Sequence, residues 1–197
     1  NTWVIFTADH GEMLGDHHMS QKNLFFEGSA HVPLLIMPPQ GRSLPQNISV
    51  EAPADLVDLY PTILAMAGLS SPVSVSGKNL LEPVPMDRMF FGNSLNKNFC
   101  VMEEKVKLVY SAVGDHVLLF DLTTDPMEQH NLAEDPAWQE RKAKLWKLLL
   151  EHTAQYTPEA LDEKGQFLTY EAPHFPGDVP GRWFGFHYHD YSVDTFH

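Results

Sequence analysis

Residues 2–8 read Thr-Trp-Val-Ile-Phe-Thr-Ala. A continuous β-branched and aromatic run of this kind predicts a strand buried on both faces, as in a parallel sheet. Such a strand needs neighbours, and none precedes it in the chain. Val32 to Met37 supplies a second apolar strand, stopped by Pro38, Pro39 and Gly41. Between the two runs, residues 9–31 are polar and hold four of the 11 histidines: His10, His17, His18 and His31. This stretch predicts a loop at the carboxyl end of the first strand, with a short helical piece near residues 25–30. Open α/β sheets bind ligands at that end of their strands.

The rest of the chain divides by pattern. Leu56, Leu59, Ile63, Leu64 and Ala67 recur at helical spacing, so a helix is predicted over 55–67, with Gly68 as its stop. Pro61 lies inside that pattern and predicts a kink or a late start. Residues 70–87 are rich in Pro and Ser and read as a loop. Beyond Arg88, strand-like runs at 89–92, 99–103, 106–111 and 117–121 predict a small antiparallel sheet. Gly114-Asp115 marks one hairpin. Asp135 and Pro136 open a helix as N-cap and first-turn residues, with Trp138, Leu145, Leu148 and Leu149 as its apolar face. The expected organisation is an α/β catalytic portion over 1–87, a sheet-and-helix subdomain over 88–155 and an extended aromatic tail over 156–197.

Composition narrows the function. Apolar residues make up 43% and charged residues 20%, an ordinary globular mix. Lys plus Arg number 13 against 26 Asp plus Glu, a net charge of −13, which repels phosphate backbones and argues against nucleic-acid partners. No apolar run of about 18 residues suggests a membrane span. The single cysteine, Cys100, excludes an intrachain disulfide and a Cys-based zinc site.

The chemistry concentrates in Thr7-Ala8-Asp9-His10-Gly11-Glu12-Met13-Leu14-Gly15-Asp16-His17-His18. Asp9 offers a hard anionic oxygen and His10 an imidazole nitrogen, a pair able to hold a divalent cation. Gly11 lets the backbone turn sharply beside it. On residue types alone, a solvated loop with Asp9 capping a turn is the alternative. Further on, Lys22 can meet a tetrahedral anion as a point charge, or stand as a solvated surface lysine. Phe25 and Phe26 would anchor this segment, and Glu27 would hold it by pairing with a basic group.

Together these segments resemble the sulfatase family of the alkaline-phosphatase superfamily. The resemblance rests on four stretches: Asp9-His10-Gly11; Leu14-Gly15-Asp16-His17; Lys22-x-x-x-Phe26-Glu27-x-Ser29-x-His31-Val32-Pro33-Leu34; and Leu119-Phe120-Asp121-Leu122 with Asp125-Pro126-Met127-Glu128 and Asn131-Leu132. Val57-Asp58-Leu59-Tyr60-Pro61-Thr62-Ile63-Leu64 also looks like a helix of that family. The branch most resembled is that of choline-sulfatase, iduronate-sulfatase and arylsulfatase K.

The resemblance implies an alkaline-phosphatase-like α/β fold, here the C-terminal part of its large mixed sheet plus a four-stranded antiparallel sheet with a packed helix. It implies a site for Ca2+ or another divalent cation, to which Asp9 and His10 contribute, and a sulfate-binding Lys22. It also implies a formylglycine nucleophile made from a Cys or Ser in a Cys/Ser-x-Pro-x-Arg motif. His17 is the preferred histidine to protonate the leaving alcohol or help regenerate the nucleophile, with His18 the second candidate or a substrate-binding residue. His31 would shape the pocket, and Arg182 and His187 of the tail would reach a sulfated sugar or belong to an apolar strap. Substrates would be a sulfated carbohydrate or a small sulfate ester. The implied compartment is periplasmic, secreted or lysosomal.

The nucleophile motif is not found. Cys100 is followed by Val-Met-Glu-Glu, and Ser43-Leu44-Pro45-Gln46-Asn47 lacks the Arg. The chain is therefore expected to need the N-terminal half of the enzyme as partner, to be inactive alone and to self-associate through exposed strand edges. A phosphonate or phosphodiester hydrolase of the same superfamily is one alternative function. A non-catalytic metal-binding or interaction module is another.

Overall fold

The computed structural model describes residues 1–19, 21–22, 24–41 and 48–171. They fall into two compact units: Asn1–Asp9 with Val32–Arg88, and His10–His31 with the described part of Met89–His197.

In the first unit, β1 (Val4–Thr7) pairs with β2 (Leu34–Met37). The pairing is antiparallel, with Val4 opposite Met37 and Phe6 opposite Leu35. The expectation of a parallel-type strand buried on both faces is corrected here. A continuous apolar run does not encode strand direction, and the residues of β1 alternate between exposed and half-buried. Val4 and Phe6 are exposed, as are Leu35 and Met37 on the same face. The predicted helix begins as a 3-10 turn at Leu56–Asp58 and continues as α1 (Leu59–Met66). Pro61 falls in the first turn of α1, where its missing N–H leaves no helical bond unmade, so the late start replaces the kink. Asp58, fully buried, accepts the Asp55 and Lys78 amides at 2.8 and 2.7 Å and pairs with the Arg88 guanidinium. Thr62 adds a hydroxyl that accepts the Leu80 amide at 2.9 Å. Buried polar groups thus tie the 77–88 segment to the helix.

The second unit is built on a meander of β3 (Phe90–Ser94), β4 (Asn98–Glu103), β5 (Val106–Ser111) and β6 (His116–Asp121), all antiparallel and in sequence order. Gly114 and Asp115, both at positive φ, end the four-residue β5–β6 loop, while Glu104 and Lys105, also at positive φ, form a two-residue hairpin between β4 and β5. The long helix α2 (Gln139–Tyr156) follows a 3-10 turn whose N-cap, Asp135, accepts the Ala137 amide at 2.8 Å. One sheet face places Val101, Leu108, Tyr110 and Leu119 in a core with Leu145 and Leu149 of α2 and with Phe167. Each buried Leu or Phe contributes about 1.5–3 kcal/mol by leaving water. The opposite face carries Cys100, Val109, Leu118 and Phe120, and against it pack Met13, Met19, Leu24 and Phe26. Every residue of β5 is buried. Strand β6 lies at the sheet edge, and Asn131 closes it: its Oδ1 accepts the Leu119 amide at 2.9 Å, while the Leu132 amide donates to the Leu119 carbonyl. No helix among the described residues is long and apolar enough to cross a membrane.

Candidate functional site

The histidine-rich segment is held by packing rather than by regular structure. Phe26 is buried against Phe120, and Phe25 lies where a side chain at Gly92 would stand, 2.4 Å from a built Cβ. Next comes a single helical turn, Glu27–Ala30, which we call the 27–30 turn. Its Ser29 carbonyl accepts the Gly11 amide at 2.7 Å. A Cβ on Gly11 would sit 2.1 Å from the Gly28 carbonyl oxygen, so residue 11 must be glycine for the loop to lie this close to the turn. The Met13 amide donates to the Gln21 carbonyl at 2.9 Å, and the Gln21 amide bonds the Glu12 carboxylate.

This arrangement brings two of the predicted site residues together. Lys22 Nζ lies 2.6 Å from His10 Nε2. His10 Nδ1 lies 2.7 Å from the Gly11 carbonyl oxygen. A carbonyl can only accept and an ammonium can only donate, so the proton sits on Nδ1 and the Nε2 lone pair faces a positive charge. This is the tautomer a metal-ligating histidine needs, fixed by a backbone acceptor on its other nitrogen. The donor chemistry of His10 therefore fits a cation at Nε2 in place of the Lys22 ammonium, since that nitrogen has a single lone pair. Asp9, exposed, immediately precedes it in the chain. Calcium takes six to eight oxygens, and no group of three or more His, Cys, Asp or Glu able to hold a metal forms among the described residues.

The remaining predicted residues are placed differently. His17 adopts φ 52° and stacks on Phe26 with ring centroids 4.2 Å apart and 15° between planes. His31 is largely exposed and pairs with Glu27 Oε2 at 2.7 Å. The His18 side chain, the Ser43–Asn47 near-motif, Arg182 and His187 lie outside the described residues. Cys100 is buried, and burial pushes its thiol up to about 12 despite the nearby Lys107, so it is no nucleophile.

Glu27 does pair with a basic group, and that group was missed in the sequence. It is Lys107 of β5, 3% exposed, whose Nζ donates to Glu27 Oε1, to Glu128 Oε1 at 2.9 Å and to the Phe25 carbonyl at 2.8 Å. Burial opposes the Lys107 charge, but Glu128 and Glu27 together hold its pKa above the ordinary lysine value. A lysine inside the apolar run Val106–Tyr110 was the available signal.

The family model for N-sulphoglucosamine sulphohydrolase, C-terminal, matches residues 15–155. The chain belongs to the sulfatase family. It is 32% identical over 164 residues to an uncharacterized sulfatase, YidJ, of Escherichia coli, covering 77% of this chain and 32% of that protein. It is 35% identical over 152 residues to arylsulfatase K of Xenopus laevis, covering 67% of this chain and 28% of the relative. The sulfatase chain thus spans about a third of the length of these curated relatives. Among solved structures it resembles a 2-O GAG sulfatase at TM-score 0.67 and 23% identity, covering 92% of this chain and 43% of that one. It also resembles a phosphonate monoester hydrolase of Agrobacterium radiobacter at TM-score 0.60 and 32% identity, covering 83% and 38%. The fold is the alkaline-phosphatase-like one of these enzymes, with the four-stranded sheet and packed helix of its C-terminal part.

Proposed function

We propose that this chain is the C-terminal portion of a sulfuric ester hydrolase in which Asp9 and His10 help to hold Ca2+ or another divalent cation and Lys22 binds the sulfate ester. The observation that carries the reading is the meeting of Lys22 with the metal-competent nitrogen of His10, in a chain of the sulfatase family. A bound cation would offset the negative charge of the sulfate oxygens. Lys22 would add a second positive charge to the same oxygens. His17, its ring fixed by Phe26, would protonate the leaving alcohol. The formylglycine nucleophile would stand in the N-terminal half of the enzyme, with residues 1–87 completing its catalytic domain, 88–155 forming the small subdomain and 156–197 the tail.

A sulfated carbohydrate or small sulfate ester is the proposed substrate. In support, one structural neighbour, at TM-score 0.62 and 23% identity, was solved with D-glucosamine-2-N,6-O-disulfate as its own substrate. A periplasmic, secreted or lysosomal setting accompanies the proposal. The likeness to a phosphonate monoester hydrolase favours phosphonate monoesters as the second reading. Turnover of an aryl sulfate and an aryl phosphonate monoester separates the two. The 197-residue chain alone is expected to cleave neither. Joined to a family N-terminal half, it is expected to prefer the sulfate. Turnover by the chain alone, or a preference for the phosphonate, overturns the reading.

The exposed face of β1 and β2 supports the proposed self-association, with Val4 45%, Phe6 62%, Leu35 58% and Met37 59% exposed. Sedimentation of the isolated chain is expected to show dimers or larger species, and Phe6→Asp to shift them to monomer. A wild-type monomer contradicts it.

A further inference from the structure

Lys107, on the sheet face that carries the histidine-rich segment, and Glu128, beyond the end of β6, are buried ions, 3% and 1% exposed at the side chain. A position that served stability alone would be as well filled by an apolar side chain, because desolvating such a pair costs about as much as the pairing returns. What the pair does have is a full set of bonds to one element. The three protons of Lys107 Nζ have three acceptors: the Phe25 carbonyl, Glu27 Oε1 and Glu128 Oε1. The second oxygen of Glu128, Oε2, accepts the Glu27 amide at 2.7 Å, an N–H at the start of the 27–30 turn that has no partner within the turn. Glu128 itself sits at φ 55°, in the turn after β6. The 27–30 turn is thus bonded to the sheet by charged groups at its first residue. Two residues later its Ser29 carbonyl holds the Gly11 amide, next to His10 and its contact with Lys22.

We propose that Lys107 and Glu128 are positioning residues for the sulfate-ester site: through the 27–30 turn they fix Gly11, and with it the placement of His10 relative to Lys22. The proposal rests on the sulfatase reading for its functional meaning but not for its geometry. A path with one backbone bond at its end transmits any shift of the turn directly. A misplacement of about 1 Å at such groups costs about 10²-fold in rate.

The test is the double variant Lys107→Met/Glu128→Leu, an apolar replacement of similar volume that keeps the sheet packed while removing every bond to residues 25 and 27. Amide hydrogen exchange on the 197-residue chain reads the geometry without metal or substrate. The expected result is a fall of at least about tenfold in protection at Gly11, with Val109 of β5 unchanged. Unchanged protection at Gly11 overturns the proposal, and so does loss at Val109 as well, which would make the pair a part of the fold's stability. In the enzyme completed by its N-terminal half, kcat for an aryl sulfate is expected to fall about 10- to 100-fold with KM within about twofold, the pattern of lost transition-state alignment. A raised KM at constant kcat overturns the positioning role. Failure of the wild-type enzyme to cleave any sulfate ester would sink the functional reading, while the exchange result would still decide the geometry.

Discussion

Lys22→Ala is expected to lower kcat/KM for an aryl sulfate by about 10²- to 10³-fold in the enzyme completed by its N-terminal half, the loss seen when one charge-stabilising donor is removed from a reacting oxyanion. The side chain is exposed, its Nζ lies 2.6 Å from His10 Nε2, and it has no part in either apolar core. Stability should therefore stay within about 0.5 kcal/mol of wild type, as for surface substitutions generally. Lys22→Arg keeps the charge but replaces a compact ammonium by a planar fork, and should recover only part of the rate. Steady-state kinetics with urea unfolding in parallel separates the two effects. An unchanged kcat/KM in Lys22→Ala removes the residue from the site.

The largest stability effect should come from the first unit. Asp58→Ala is expected to cost about 3–5 kcal/mol, because it removes the buried carboxylate that pairs with the Arg88 guanidinium and accepts two backbone amides. The same residue sets a pH dependence. Burial alone would push its pKa up. The Arg88 hydrogen bond, the Lys78 and Asp55 amides and the Arg88 charge outweigh that and hold it below the ordinary aspartate value. A carboxylate whose folded pKa is depressed contributes stability above its unfolded pKa, about 3.9, and loses it as pH falls through the lower folded value. Asp58→Asn should therefore be less stable than wild type at neutral pH, and the gap should close only below about pH 4. Urea midpoints taken from pH 7 downward check this; a gap that is constant with pH rules out the ionised carboxylate as the cause.

Much of the architecture was legible because it is local. The four strands of the small sheet were placed within two residues at each end, since their turns are short and the Gly114-Asp115 pair has one good use. The Asp135 cap and the apolar stripe of α2 were equally readable, because capping and helical periodicity involve neighbours in sequence. The first strand was not. Its unbroken apolar run suggested burial on both faces, yet β1 leaves Val4 and Phe6 exposed, and the strand buried throughout is β5, which contains a lysine.

The sequence by itself determined the family. Through the resemblance of one segment to that family it also led to Asp9, His10 and Lys22 as the proposed site residues. It also led to the expectation that Glu27 holds that segment to a basic group. Only the tertiary structure decided which group. Lys107 lies 80 residues from Glu27 and Glu128 lies 101, and nothing local links them. Their meeting depends on the meander turning one face of β5 toward the histidine-rich loop, so that period-2 alternation puts Lys107 beside Val109 on that face. Pattern along a chain records which face a residue occupies within its own element; what lies opposite that face is set by packing between elements far apart in sequence.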